Sequence, residues 1–284
     1  MTLYEILFQP FADYSFMRRA LCACIILAIS GAPLGVFLNL RRMALVGDAM
    51  SHAILPGVSL AFMIWGLSVW HMTGAALSIG IVVAFFAFYL TRVTQLKEDA
   101  SFTLVYLLSL ASGVIMISRS GSGVDLLHIL FGNILAINND ALFLAAGTAA
   151  ATVLILSQTF RGLVIECFDP DFLQASSRRA SWIGSVFFVL VVVNLVASFQ
   201  ILGTLMALGL MLLPAITTRF WTQSLDASFL LGILIAVTSG FAGLLISYHH
   251  EIPAGPAVVV VTGILCLISV LFGRHGSVRT YLTR

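Results

Sequence analysis

The fold class is decided by residues 181–218, which read SWIGSVFFVLVVVNLVASFQILGTLMALGLMLLPAITT. This stretch contains no Asp, Glu, Lys, Arg or His. A helix needs about 20 predominantly apolar residues to cross a hydrocarbon core roughly 30 Å thick. The stretch is therefore long enough for two membrane-spanning helices, and the weakest division between them lies at residues 198–203. The sequence predicts an all-α integral membrane protein.

The composition of the whole chain supports the same class. Apolar residues make up 60% of the chain, charged residues only 9%, and the mean hydropathy is +1.08. A soluble globular protein would be about one quarter charged. Lipid must therefore contact most of the surface. The formal net charge of +2 gives no reason to expect a nucleic-acid partner.

Further apolar stretches on both sides bring the prediction to about nine transmembrane helices, or eight if residues 181–218 are divided differently. Residues 124–136 are apolar but too short to cross, and a short surface helix is expected there. Residues 1–284 are expected to form a single transmembrane domain. Charged or proline-containing segments separate several spans, at residues 41–42, 97–99, 169–171 and 251–253. The predicted spans are 17–39, 48–67, 72–91, 102–118, 140–158, 181–199, 201–218, 227–247 and 256–273.

The distribution of arginines predicts the orientation. Loops after odd-numbered spans hold nearly all of the Lys and Arg residues, whereas loops after even-numbered spans hold only Arg119. Positive charge accumulates on the cytoplasmic side, so the N-terminus is expected outside and the C-terminus inside. Arg18 and Arg19 oppose this assignment, and we expect them to belong to an amphipathic N-terminal helix at the interface.

Small residues and prolines within the spans predict close packing. The pair Gly31 and Gly35 would let neighbouring helices approach closely. Pro56 and Pro214 each remove a backbone hydrogen bond, which in lipid must be replaced by another protein group or by water. The helices that carry these prolines are expected to face the protein interior or a water-filled path.

Asp48 and His52 are the most informative polar residues. They are four residues apart, so on a helix they lie on one face. Ionisable residues in a membrane helix usually mark an ion or proton path, and a carboxylate beside an imidazole suits a divalent first-row metal. The alternative is that Asp48 caps a helix N-terminus and His52 is a buried hydrogen-bonding residue.

A second polar cluster, His249, His250 and Glu251, ends the eighth predicted span on the outer side. Two imidazoles and a carboxylate there could receive a metal and pass it inward to His52 and Asp48. The alternative is a loop whose polar residues are merely solvated. Pro253 and Pro256 follow directly, and prolines fix φ, so a defined loop geometry is expected.

Residues 160–180 are predicted to form the longest cytoplasmic loop, and they contain the signals of a short helix. Asp169 is suited to the N-cap position and Pro170 to the first helical position. Such a helix would present Phe172 and Leu173 to a partner protein.

Residues 41–57 carry the most specific motif of the chain, with Gly47-Asp48-Ala49, His52-Ala53 and Pro56-Gly57. With this motif, the chain resembles the permease subunits of the metal-ion ABC transporters, which import zinc, manganese or iron with an extracytoplasmic metal-binding protein. The resemblance covers nearly the whole chain. Glu251 departs from it, because many relatives carry aspartate there, but the charge is kept. Other matching stretches are 16–21, 125–135, 203–208, 213–215 and 252–256.

The resemblance implies a permease of the type II ABC importer kind in the bacterial inner membrane. Its implied partners are a second copy of itself, a cytoplasmic ATP-binding subunit and the metal-binding protein. No permanently bound cofactor is expected. The coupling helix that contacts the ATPase is expected at Asp169, Pro170, Asp171, Phe172, Leu173 and Ala175.

The resemblance also places Asp48 and His52 on the metal path. Two copies would supply up to four N and O ligands, which fit tetrahedral Zn²⁺, so zinc is the expected substrate. Manganese or iron is the alternative, and Mn²⁺ would want more oxygen ligands.

The chain is not expected to be an enzyme. Its only lysine, Lys97, follows Leu96, so no Gly-Lys-Ser/Thr phosphate-binding loop exists. His-Glu-x-x-His and Gly-x-Ser-x-Gly motifs are also absent from the sequence. ATP hydrolysis must then take place on a partner subunit. A proton-coupled metal carrier is a less favoured alternative, because Asp48 and His52 could relay protons.

Overall fold

The structure is a computed structural model that describes residues 4, 7–66, 68–119, 137, 139–169, 172 and 180–279. The secondary structure of these residues is helical throughout. The helices are α1 Gln9–Asp13, α2 Ser15–Leu40, α3 Ala44–Ala53, α4 Leu55–Trp65, α5 Val69–Val93, α6 Glu98–Arg119, α7 Asn139–Phe168, α8 Ala180–Leu202, α9 Thr204–Thr218, α10 Leu225–His250 and α11 Ala254–Phe272. The expected short helix at 124–136 lies outside the described residues.

Among the described residues, 8 helical segments are long and apolar enough to cross a membrane. Helices α3 and α4 together form one of these, Ala44–Trp65. The seventh predicted span, 201–218, corresponds to α9, which has only 15 residues and a length of about 22 Å. The prediction of an all-α, multi-pass membrane protein is confirmed, and the count of long spans agrees with the lower of the two predicted numbers.

Gly203 separates α8 from α9 within the uncharged stretch. Its φ of 81° is a conformation that glycine adopts without a steric penalty. The Gly203 N–H still donates to the Phe199 carbonyl at 3.0 Å, so α8 closes its last turn before the chain changes direction. Within the predicted division at residues 198–203, only Gly203 lies outside the two helices.

The predicted loop at residues 160–180 begins too early. Helix α7 has 30 residues and continues to Phe168, so residues 160–168 are helical. The prediction ended the span at residue 158 and so placed Glu166 in the loop. In the structure Glu166 forms an ion pair with Arg41 and is largely buried, so its charge does not end the helix.

The described helices belong to two compact units that are interleaved in sequence. The first contains residues 1–40, 126–151 and 198–284, and the second contains residues 41–125 and 152–197. In the first unit, α2, α9, α10 and α11 pack together; in the second, α3 to α6 pack together. No single cut in the sequence separates the units, and the expectation of one transmembrane domain stays a prediction.

Close helix packing occurs at one of the predicted glycines in the first unit. A Cβ atom built at Gly35 in α2 would overlap the Met211 carbonyl oxygen in α9. Pro214 in α9 is buried, as is Pro56 in α4 of the second unit. The prediction that both prolines face the protein interior is confirmed.

The expectation for Arg18 and Arg19 is wrong. Both lie in the first turns of the long helix α2, whereas the separate N-terminal helix α1 ends at Asp13. Their side chains satisfy backbone carbonyls: Arg18 Nη1 donates to the Ala12 oxygen and Arg19 Nη1 to the Ile137 oxygen, both at 3.0 Å. These hydrogen bonds give the two charges a local structural role.

Candidate functional site

Helix α3 positions Asp48 and His52 in the second unit. The helix begins at Ala44, with Met43 as its N-cap residue, so Asp48 lies in the second turn. The alternative that Asp48 is an N-cap is therefore wrong. The Ser51 hydroxyl donates to the Asp48 backbone carbonyl at 2.6 Å, so its acceptor is the main chain of Asp48 and not the carboxylate.

The two side chains face each other without forming a direct hydrogen bond. His52 Nε2 lies 3.8 Å from Asp48 Oδ1, beyond hydrogen-bond distance. The Asp48 side chain is 60% exposed and that of His52 is 35% exposed, so His52 is not the buried residue of the alternative interpretation. Two ligands of a tetrahedral metal, each about 2.1 Å from the ion, lie about 3.4 Å apart. The observed separation is thus close to the separation of two ligands of one ion.

Asp48 also borders an open cavity of about 140 Å³. Three further residues that carry side-chain oxygens line it from α6: Asp99, Thr103 and Tyr106. Asp99 was assigned in the sequence only to the charged separator between two spans. The cavity is a feature that sequence reasoning missed, because its two sides are about fifty residues apart in the chain.

Within the described ranges, no group of three or more His, Cys, Asp and Glu side chains is placed to hold a metal ion. If Asp48 and His52 bind a metal ion, one copy of the described chain would provide two ligands of these types. A complete coordination sphere would need other oxygen donors, water or a second chain.

The helix that carries the pair is interrupted just after His52. Helix α3 ends at Ala53 and α4 begins at Leu55, with Pro56 in its first turn. Gly57 in α4 and Gly113 in α6 allow close contact there. A Cβ atom at Gly57 would overlap the Ala75 carbonyl oxygen, and one at Gly113 would lie 3.0 Å from the Pro56 nitrogen. The interruption is therefore enclosed by α5 and α6.

The trio His249, His250 and Glu251 lies in the first unit at the end of α10. His249 and His250 form the last turn of the helix, and Glu251 ends it with a left-handed φ of 54°. All three residues are exposed. The His249 ring meets the Tyr248 ring edge-on, with centroids 5.3 Å apart. Among the described residues, these three side chains are not close enough together to form a three-ligand metal site. Their role in the entry of ions stays a prediction.

The predicted coupling segment is described only in part. Asp169 follows α7 directly, and its Oδ1 accepts a hydrogen bond from the Phe172 N–H at 2.9 Å. This is the hydrogen bond that an N-cap carboxylate forms with the third residue of a helix. The Phe172 side chain is 58% exposed. Pro170, Asp171, Leu173 and Ala175 lie outside the described residues.

Comparison with known proteins places this fold and these residues in one family. The profile of the ABC 3 transport family matches residues 13–273. The manganese transport system membrane protein MntC of Halalkalibacterium halodurans is 32% identical over 274 residues, covering 96% of this chain and 92% of that protein. The chelated iron transport system membrane protein YfeD of Yersinia pestis is 31% identical over 270 residues, with 95% and 89% covered.

A solved structure agrees with this result. The chain superposes on PsaBC from Streptococcus pneumoniae, determined in complex with Fab, with a TM-score of 0.83 and 30% sequence identity. The match covers 99% of both chains.

The predicted resemblance to metal-ion ABC permeases is confirmed, as is the prediction that the chain is not an enzyme. The expectation of zinc is not supported, because these relatives are named for manganese or iron, which fits the alternative better. The chain belongs to the ABC 3 transport family and is a multi-pass permease subunit of a bacterial inner-membrane metal importer.

Proposed function

We propose that this permease carries manganese across the membrane and that Asp48 and His52 bind the ion on its way. The main support for this proposal is that Asp48 Oδ1 and His52 Nε2 lie 3.8 Å apart on a membrane helix. Neither side chain is fully buried, so an ion can reach both. A transport site must release its ion, and a small number of ligands per chain suits that requirement.

The chemistry around Asp48 favours manganese over zinc. The residues that line the cavity beside it include four with side-chain oxygens, Asp48, Asp99, Thr103 and Tyr106. Carboxylate, hydroxyl and water oxygens suit Mn²⁺, whereas zinc sites in proteins are dominated by imidazole and thiolate. The names of the relatives, MntC among them, support the same choice.

A second copy of the chain would complete the site. Each described chain provides two ligands from α3, and two chains related by a two-fold axis would provide four. We propose a homodimer in which both α3 helices face a common path. The remaining positions on the ion would be filled by water or by the neighbouring oxygen donors, as Mn²⁺ prefers.

The same proposal includes two partners that drive and supply transport. The exposed Phe172, whose N–H donates to the Asp169 carboxylate, would dock into a cytoplasmic ATP-binding subunit. An extracytoplasmic metal-binding protein would deliver the ion near His249, His250 and Glu251. Closure of the ATP-binding subunits would then rock the permease helices and open the path to the other side.

Iron is the second candidate substrate. YfeD, at 31% identity, is named for chelated iron, and imidazole also suits Fe²⁺. Competition for uptake separates the candidates. Proteoliposomes that contain the whole transporter should accumulate radioactive manganese in the presence of ATP and the metal-loaded binding protein. Excess Mn²⁺ should block this uptake more strongly than equal Fe²⁺ or Zn²⁺, each loaded on the same binding protein. Stronger inhibition by Zn²⁺ would refute the manganese assignment.

A further inference from the structure

A buried ion pair joins two parts of the second unit that lie far apart in sequence. Arg41 Nη2 lies 2.6 Å from Glu166 Oε2, and the two side chains are only 7% and 18% exposed. At this separation the opposite charges of the guanidinium and the carboxylate attract each other directly, as a close ion pair. Low exposure also means that salt screens the pair only weakly.

The surroundings are shaped to fit both charges. The Arg41 guanidinium lies over the Phe187 ring, 4.9 Å from its centroid, and 5.7 Å from that of Phe188. Gly184, one turn earlier on α8, makes room for the carboxylate, because a Cβ atom there would overlap the Glu166 side chain. Helix α8 thus places two aromatic rings beside the guanidinium and leaves space for the carboxylate.

Stability alone does not require such a pair. Replacing a buried ion pair with apolar side chains often leaves a protein equally stable, whereas removing one partner is costly. The pair is better explained by what it connects.

Each partner occupies the end of a functional element. Arg41 follows α2 and precedes α3, in a turn where Arg42 has a left-handed φ of 60°. Asp48 comes seven residues later, in the second turn of α3. Glu166 lies in the last turn of α7, three residues before Asp169, which begins the segment proposed to dock on the ATPase. The ion pair therefore ties the start of the metal-binding helix to the end of the helix that leads into the docking segment.

We propose that Arg41 and Glu166 are positioning residues that transmit movement of the docking segment to Asp48 and His52. This inference rests on the proposed function. When the ATP-binding subunits shift the end of α7, the ion pair moves the first turn of α3 with it. The metal ligands then change position together with ATP-driven closure.

Three variants of the assembled transporter test the proposal: Glu166→Gln, Arg41→Gln and the double variant with both changes. The readouts are assembly of the complex, ATP hydrolysis and manganese uptake in the same proteoliposomes. The double variant removes both charges of this pair together and keeps hydrogen-bonding groups on both sides, so it should assemble. Its manganese uptake per ATP hydrolysed should fall by about tenfold, within the range typical of coupling between sites. Arg42→Gln, an exposed neighbour, is the matched control and should behave as the wild type.

The double variant shows whether the ion pair transmits movement to the metal ligands or has only a structural role. If it assembles and its uptake per ATP equals that of the wild type, the pair only avoids an unpaired charge and the proposal fails. The proposal also fails if the double variant does not assemble, because the pair would then be needed to build the permease. Absence of manganese uptake by the wild-type complex would instead refute the proposed function.

Discussion

The Ser109 hydroxyl on α6 donates a hydrogen bond to the Ala53 carbonyl on α3, with Oγ and O 2.7 Å apart. Ala53 is the last residue before the interruption at Ile54. The Gly57 N–H, which would reach the Ala53 carbonyl in a continuous helix, donates to the Ile54 carbonyl at 3.0 Å instead. Ser109 thereby satisfies an acceptor that the interruption leaves open, one residue after His52.

Removing this hydroxyl should destabilise the permease. Ser109→Ala leaves the buried Ala53 carbonyl without this donor, and an unsatisfied buried group costs about 1–3 kcal/mol. The thermal midpoint of the purified complex should fall. Ser112→Ala is the matched control, because the Ser112 hydroxyl bonds only to the Ser109 carbonyl of its own helix in this structure. Equal midpoints for the two variants would mean that Ser109 has no special role at the interruption.

Gly57 should not tolerate alanine. A methyl group there would overlap the Ala75 carbonyl of α5 and lie 3.0 Å from Ile79 Cγ1. Overpacking of this kind costs about 1–3 kcal/mol, and here it would also displace α4 next to His52. The thermal midpoint of the Gly57→Ala complex and its rate of manganese uptake should both be lower than in the wild type.

Gly74→Ala provides the control on the facing helix, since no atom lies within 4 Å of a Cβ built at Gly74. That substitution should leave uptake unchanged and raise stability slightly, because alanine is a better helix former than glycine. A Gly57→Ala complex as stable as Gly74→Ala would show that α4 and α5 are not packed as described.

Phe172 should be required for coupling to ATP hydrolysis. Phe172→Asp would bury a carboxylate in the proposed interface with the ATP-binding subunit, which is costly for an unpaired charge. Stimulation of ATP hydrolysis by the metal-loaded binding protein should be lost. Phe172→Leu keeps an apolar side chain and should retain most of the stimulation. Full stimulation in the aspartate variant would place the interface elsewhere.

His249 and His250 should affect capture of the ion rather than its passage. Replacing both by Gln keeps polar side chains at the end of α10 but removes the imidazole ligands. Manganese uptake should then need more metal-loaded binding protein to reach its half-maximal rate, with the maximal rate preserved. A concentration dependence identical to that of the wild type would show that these residues are only solvated.

The spans could be predicted from sequence because they depend on local composition. The predicted span 227–247 lies within α10, and the division at 198–203 contains the break at Gly203. Hydropathy and the conformational freedom of glycine are properties of the residues themselves.

The contacts between distant segments could not be predicted in this way. Glu166 looked like a loop residue because only the folded chain places it beside Arg41. Asp99 looked like a separator between spans, although the fold places it on the same cavity as Asp48. Asp48 and His52 were found because their spacing of four residues is local and fixes them on one helix face.

Manganese uptake by the Asp48→Ala transporter shows whether the ion needs Asp48 to cross the membrane. The permease would be reconstituted in liposomes with its ATP-binding subunit and binding protein, and accumulation of radioactive manganese would be followed after ATP is added. The exposed Asp140→Ala, in the first turn of α7, is the matched control for loss of a carboxylate. We expect Asp48→Ala to assemble and to hydrolyse ATP at the basal rate while uptake is abolished, and Asp140→Ala to transport normally. Wild-type uptake by Asp48→Ala would refute the proposed role of Asp48, because the ion would then cross the membrane without this ligand.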